Sequence, residues 1–247
     1  MSARRPLSMW APRRQDGAAS MEFFVLFLFA IMLIMGILQM GMFMVAKNTV
    51  NLATFAAARV GAASGGDKEQ MKRALAKGLS GLYVAKGLRL AGSSGLTDVS
   101  TGNFQQVITN ATAYAYAAAS LPRNEIKILN PTKKAFADFG VPNPSGKKGR
   151  IIPATGLLTD TVVGSASGQT RADALLLKVK VRHCYELTFP VIDYWVYWTL
   201  SKDPAHIADL PCLAKHPWPD GRMGYGVIIE SQAVVRMTAP AVEDNFK

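Results

Sequence analysis

"RRQDGAASMEFFVLFLFAIML", residues 13–33, decides the architecture of this chain. An arginine pair and an acid lead to Gly17, a carboxylate stands at Glu22, and charge then disappears until Lys47. The run Phe23–Ala46 contains no Pro and a single polar amide, Gln39. As a helix it would be about 36 Å long at 1.5 Å per residue, enough to cross a hydrocarbon core of about 30 Å. Cleavable secretory cores are shorter, about 7–15 residues, so the run reads as a retained membrane span. Arg4, Arg5, Arg13 and Arg14 precede it, with Asp16 the one acid. The positive-inside rule keeps that end in the cytoplasm and places the remainder on the far side. The rival is an ordinary secretory signal cut near Ala56–Ala58 or Ala62–Ala63. The arginine pair is poorly continued for a twin-arginine signal.

Beyond the span the helical pattern persists. Lys47–Ala63 is Ala-rich, with Val50, Ala53, Ala57 and Val60 expected on one side. Ser64-Gly65-Gly66 should end the helix, and Asp67 can cap the next. Residues 67–90 read as a second helix, with Met71, Leu75, Leu79 and Leu82 at helical spacing, and 103–119 as a third that Leu121-Pro122 stops. The texture then changes. Glu125–Leu129 alternates as a strand, and 140–170 reads as loops with short strands. Leu175–Leu187 sets Leu175, Leu177, Val179 and Val181 against Lys178, Lys180 and Arg182. Tyr225–Met237, with Val227, Ile229, Val234 and Val235, is the second long strand. Pro-rich Lys202–Gly221 separates them. The fold class is α+β: a long N-terminal transmembrane helix, then helices packed on an antiparallel sheet.

The net charge is +11. A basic outer domain can touch acidic polymers or lipid headgroups, but a solvated surface explains the excess more simply. Zinc knuckles, recognition helices and aromatic-basic stripes are not evident, so nucleic acid is not an expected partner. The two cysteines, Cys184 and Cys212, suit an oxidising compartment and are read as a disulfide, worth about 3.5 kcal/mol by loop entropy. His183, Cys184, His206, Cys212 and His216 are the one collection of metal-ligand types. His183 and Cys184 are strand neighbours and face opposite ways, while prolines 211, 217 and 219 argue against a helix presenting Cys212 and His216 together. No metal and no cofactor are called for. "GVPNPSGKKG" (140–149) has the wrong spacing for a phosphate loop. "GSASG" (164–168) lacks nucleophile-elbow spacing, and Asp193, Ser201 and His206 as a triad are at chance level. Trp195, Tyr197 and Trp198 are read as core or as a membrane-proximal packing patch.

Counting from the Gly17–Ala18 bond explains Glu22. Ala18 is the first residue after it and Glu22 the fifth. A basic leader ending in Gly, a small residue next, a Glu and a long apolar helix together resemble the class III signal of type IV pilins and pseudopilins. Residues 17–62 more narrowly resemble the TadE-like minor pilins of the tight-adherence (Flp/Tad) system, through Gly17, Glu22-Phe23, Gly36, Gly41 and Ala57-Ala58-Arg59. Where members of that family carry a mid-span Pro, this chain has Ile31-Met32-Leu33. Past residue 62 only "GVIIESQAVVRMTAP" has a familiar look.

The resemblance implies a non-catalytic assembly protein cleaved by a prepilin peptidase between Gly17 and Ala18. Glu22 would be the assembly residue. Residues 1–17 would be the cytoplasmic leader, 18–63 the pilin-like transmembrane helix and 64–247 a periplasmic α+β domain. Other pilins, a membrane platform and a cytoplasmic ATPase are the implied partners, and the bacterial inner membrane, with possible entry into a pilus, the implied location. The alternative is a single-span periplasmic enzyme or binding protein with an uncleaved anchor.

Overall fold

The computed structural model describes residues 18–90, 92, 101–144, 149–155, 161–189 and 191–246, without the side chains of 18–20 and 101. The leader, Gly17 and part of the 140–149 segment lie outside the described residues. Helix α1 (Ala18–Ala63) is continuous from the apolar run into the Ala-rich stretch. Its two halves differ in environment. Phe23–Phe29 are each at least half exposed, whereas Ala46, Val50, Ala53, Ala57, Ala58 and Ala62 are fully or almost fully buried. Val60 is part exposed rather than on the packed face. A period of 3.6 carries the face from Ala57 to Gly61, and a Cβ on Gly61 would come within 2.6 Å of the Met71 sulfur.

Gly65 and Gly66, at φ 70° and 89°, turn the chain out of α1. Asp67 then caps α2 (Lys68–Leu79), accepting from the Glu69 and Gln70 amides. The single helix expected over 67–90 is broken by a 3-10 turn at Ser80–Tyr83 before α3 (Val84–Leu90). Gly78 and Gly81 weaken the α-helix there, and the Ser80 hydroxyl donates back to the Lys77 carbonyl at 2.8 Å. Gly78 has a second use: a Cβ on it would lie 2.7 Å from the Ala53 backbone, so α1 and α2 approach closely at that point. Helix α4 (Thr101–Ala119) packs on α2 and α3 and buries Ala111, Tyr114, Ala115 and Ala118.

Strand β1 (Glu125–Asn130), helix α5 (Lys133–Phe139) and the short β2 (Val141–Pro142), β3 (Arg150–Ile152) and α6 (Arg171–Ala174) precede the long strand β4 (Leu176–Glu186). Helix α7 (Ile192–Leu200), a 3-10 turn, α8 (Leu210–Leu213) and the small pair β5 (His216–Pro217) and β6 (Met223–Gly224) follow. The chain ends through β7 (Gly226–Arg236), β8 (Ala241–Val242) and a last 3-10 turn. The main sheet is antiparallel in the order β1-β4-β7, and a second runs β2-β3-β8.

In the main sheet Leu177 pairs Val235, Val179 pairs Ala233, Val181 pairs Ser231 and His183 pairs Ile229. This face is covered by the buried half of α1 with α2 and α4, making one core. Val234, one residue out of phase, is exposed on the other face. There Glu230 meets Lys180 at 2.8 Å and Arg182 at 3.0 Å, and Arg182 also pairs with Asp209. The architecture is α+β, a long apolar helix followed by helices on antiparallel sheets.

Candidate functional site

The first half of α1 is apolar on every side, and such a helix needs an apolar surrounding. None of its most hydrophobic window is buried inside the molecule. Its length and composition suffice to cross a membrane. The described part of the helix runs from Ala18, and exposed Glu22 stands one turn further along. Among the described residues no salt bridge includes Glu22.

Gln39 is the polar exception within the run, and the structure gives its use. It is 4% exposed, and its side-chain carbonyl accepts from the backbone amides of Thr188 and Phe189, each at 3.3 Å. The chain leaving β4 is thereby clamped to α1, and α7 starts directly after. This helix has no buried residue, so Trp195, Tyr197 and Trp198 are not core. Tyr194 and Tyr197 lean on Tyr225, with centroids 6.2 and 5.1 Å away. Between α7 and α1 lies an apolar cleft of about 870 Å³.

Cys184 and Cys212 form a disulfide, with Cα atoms 5.8 Å apart. It ties α8 to β4 and is covered by Trp218 and Ile228. A Cβ on Gly226 would sit 2.8 Å from the Cys184 sulfur, so the bare glycine beside β4 makes room for the bridge. Of the remaining ligand-type residues His216 lies beside the bridge, its Nε2 4.0 Å from the Cys184 sulfur, and the others are dispersed. His183 binds Tyr83 and His206 lies 3.0 Å from Asp209, not in a triad with Asp193. Among the described residues no group of three or more His, Cys, Asp or Glu is placed to hold a metal ion. The Gly/Ser turn at 164–168 wraps a carboxylate: Asp138 accepts from the Ala166 and Ser167 amides and the Ser167 hydroxyl. Those bonds, led by the Ser167 hydroxyl, hold Asp138 below the usual carboxylate range.

Two polar groupings, one buried and one half-buried, had no sequence signal. The Tyr83 hydroxyl lies 2.8 Å from His183 Nε2 inside the core, and burial lowers the His183 pKa from 6.5 to about 4. Lys86 reaches Glu186 at 2.7 Å and Asp220 at 3.0 Å, and Arg222 bridges the same two carboxylates. Burial first, then the Asp220 charge, push Glu186 up to about 7. Both groupings join residues far apart in sequence. They tie the 80–90 segment to the end of β4 and to the loop before β7.

Fold and site thus define a class: an α+β protein carried on one exposed apolar helix with a carboxylate near its start. Within that class, residues 17–59 match the family model described as TadE-like protein. The match begins at Gly17 and ends at Arg59, so it lies inside the stretch whose motifs resemble TadE-like minor pilins and is consistent with a TadE-like protein of the Tad pilus system. No curated protein and no solved structure matches the chain.

Proposed function

We propose that the chain is a minor pilin or pseudopilin of a Tad-type system, cut by a prepilin peptidase between Gly17 and Ala18. The observation that carries this reading is a coincidence at one place. The family match starts at Gly17, the described chain is helical from Ala18 onward, and the exposed apolar half of that helix holds one carboxylate, Glu22. In this reading residues 1–17 stay in the cytoplasm, α1 crosses the inner membrane, and residues 64–247 form the periplasmic part. The disulfide supports an oxidising compartment for that part. Other pilins and the Tad membrane platform are its partners, and no catalytic step is assigned to it. Cleavage leaves an ammonium on Ala18, which pairs with Glu22 of a neighbouring subunit in the apolar assembly.

N-terminal sequencing of the membrane-extracted protein tests the proposal. The expected mature start is Ala18, and Gly17→Leu should accumulate the uncut precursor. A start at Met1 would put the anchored enzyme or binding protein ahead. A start near residues 59–64 would mean an ordinary secretory signal.

A further inference from the structure

Seven residues separate Gln39 from Ala46, the end of the apolar run, which is about 10 Å along a helix. The Gln39 clamp on Thr188 and Phe189 therefore holds the chain inside the level of the run, not at its exit. Backbone amides at such depth need protein partners, because lipid offers none. From this point α7 extends with Ile192, Trp195, Val196 and Leu200 at helical spacing, all lining the cleft. The facing wall is Leu28, Met32, Gly36 and Phe43 of α1. Trp195 is 60% exposed, which in water is a large unfavourable apolar surface.

We infer that α7 is a second membrane element: it enters the bilayer that α1 spans from the side of the outer domain, and phospholipid acyl chains occupy the cleft between the two helices. Three observations choose lipid over another protein chain. The cleft is continuous with the exposed apolar surface of α1, whose length already fits a bilayer. The set Tyr194, Trp195, Tyr197 and Trp198 has the composition of the headgroup–acyl boundary. The polar end of α7 carries a lysine against its aromatics: the Lys202 ammonium lies 3.6 Å from the Trp198 ring centroid. Nearby, Lys47 of α1 lines a neighbouring depression of mixed charge with Arg182, His206, Asp209 and Glu230. Lysines so placed rest their stems on apolar surface and reach phosphate with the charge. The inference rests on α1 being a span, and not on leader cleavage or pilus assembly.

Trp fluorescence in brominated vesicles tests it. The full chain carrying Trp10→Phe is reconstituted at high lipid excess in phosphatidylcholine and phosphatidylglycerol, with bromines on the upper acyl carbons of the phosphatidylcholine. Trp218, buried beside the disulfide, supplies the background. The double variant Trp195→Phe/Trp198→Phe keeps the aromatic bulk and gives the emission to subtract. Bromolipid should remove roughly half of the emission due to Trp195 and Trp198, independently of protein dilution. A Phe24→Trp probe, placed in α1 of that double variant at an exposed position that does not line the cleft, reports insertion of the span separately. Quenching of that probe with none of Trp195 and Trp198 would overturn the inference and leave the span standing. No quenching of either would remove the span and the inference with it. Protection of Trp195 and Trp198 from aqueous acrylamide that vanishes on dilution in lipid would assign the cleft to a second copy, and so overturn it too.

Discussion

Gln39 and His183 are single residues whose environments decide their effect. Gln39 satisfies two backbone amides where α1 meets the chain leaving β4. Leucine at that position would fit the apolar run better and still harm the protein, because both amides would lose their acceptor. The expected loss for Gln39→Leu is about 2 kcal/mol, with faster proteolysis after β4. Denaturant unfolding in detergent checks it, and wild-type stability in the variant would mean the clamp carries no load. His183 acts through a proton. In the folded core it titrates near 4, in the unfolded chain near 6.5. Between those values the unfolded state binds a proton that the folded state refuses. The His183 contribution to stability is therefore complete above about pH 6.5 and falls as the pH drops towards 4, by up to roughly 3 kcal/mol, while Glu186, raised to about 7, works in the opposite direction over much of the same range. Unfolding curves at a series of pH values check it by difference: the stability gap between wild type and His183→Gln, which does not titrate, should change by this amount across that window, and a gap independent of pH would refute it.

At the scale of elements, the disulfide is the one covalent tie between α8 and the sheet. Opening it releases a loop that contains α7, and reduction should lower stability by about 3.5 kcal/mol in the loop-entropy model. Intact-mass analysis after alkylation should find both thiols protected until reductant is added. Two reactive thiols in the untreated protein would remove the bridge. The elements themselves were unequally legible. The period of two in Leu177, Val179 and Val181, and the unbroken apolar run of α1, follow from local chemistry, and both stand where the sequence placed them. Asp67 as a cap and the glycines that end α1 were equally local. What the sequence concealed is tertiary. Gly61 replaces Val60 on the packed face because Met71 comes close there, and Gly226 is bare because a disulfide passes over it. The place of the α7 aromatics is likewise tertiary, set by the Gln39 clamp and by the packing of Tyr194 and Tyr197 on Tyr225. Tyr83 and His183, far apart in the chain, carry no pairing motif at all.

Across the whole molecule, α1 is two helices in one. The half beyond Ala46 is fixed in the core, and the half before it offers an apolar cylinder to whatever surrounds it. Glu22 is the charge on that cylinder, and its value depends on the surroundings. In a simple anchor it stays among headgroups and water, where removing a solvated carboxylate changes little. Close to a helix start it also favours the helix dipole, a modest gain of about 0.3–1 kcal/mol. In an assembly of packed apolar helices the same carboxylate leaves water, and only an opposite charge makes that tolerable. In the proposed reading the Ala18 ammonium that cleavage would create is that charge, supplied by a neighbour, and the pair would then fix how far one helix slides along another. Glu22→Ala should accordingly be cut at Gly17 and inserted as wild type, because neither step needs the pair. It should also fail to co-purify with other pilins, and the strain should lose surface adherence. Mass spectrometry of the membrane fraction checks the first half, and pilin pull-down with an adherence assay checks the second. Normal pili and adherence with Glu22→Ala would show that the carboxylate stays in the headgroups, and would turn the proposal from an assembly subunit towards an anchored periplasmic protein.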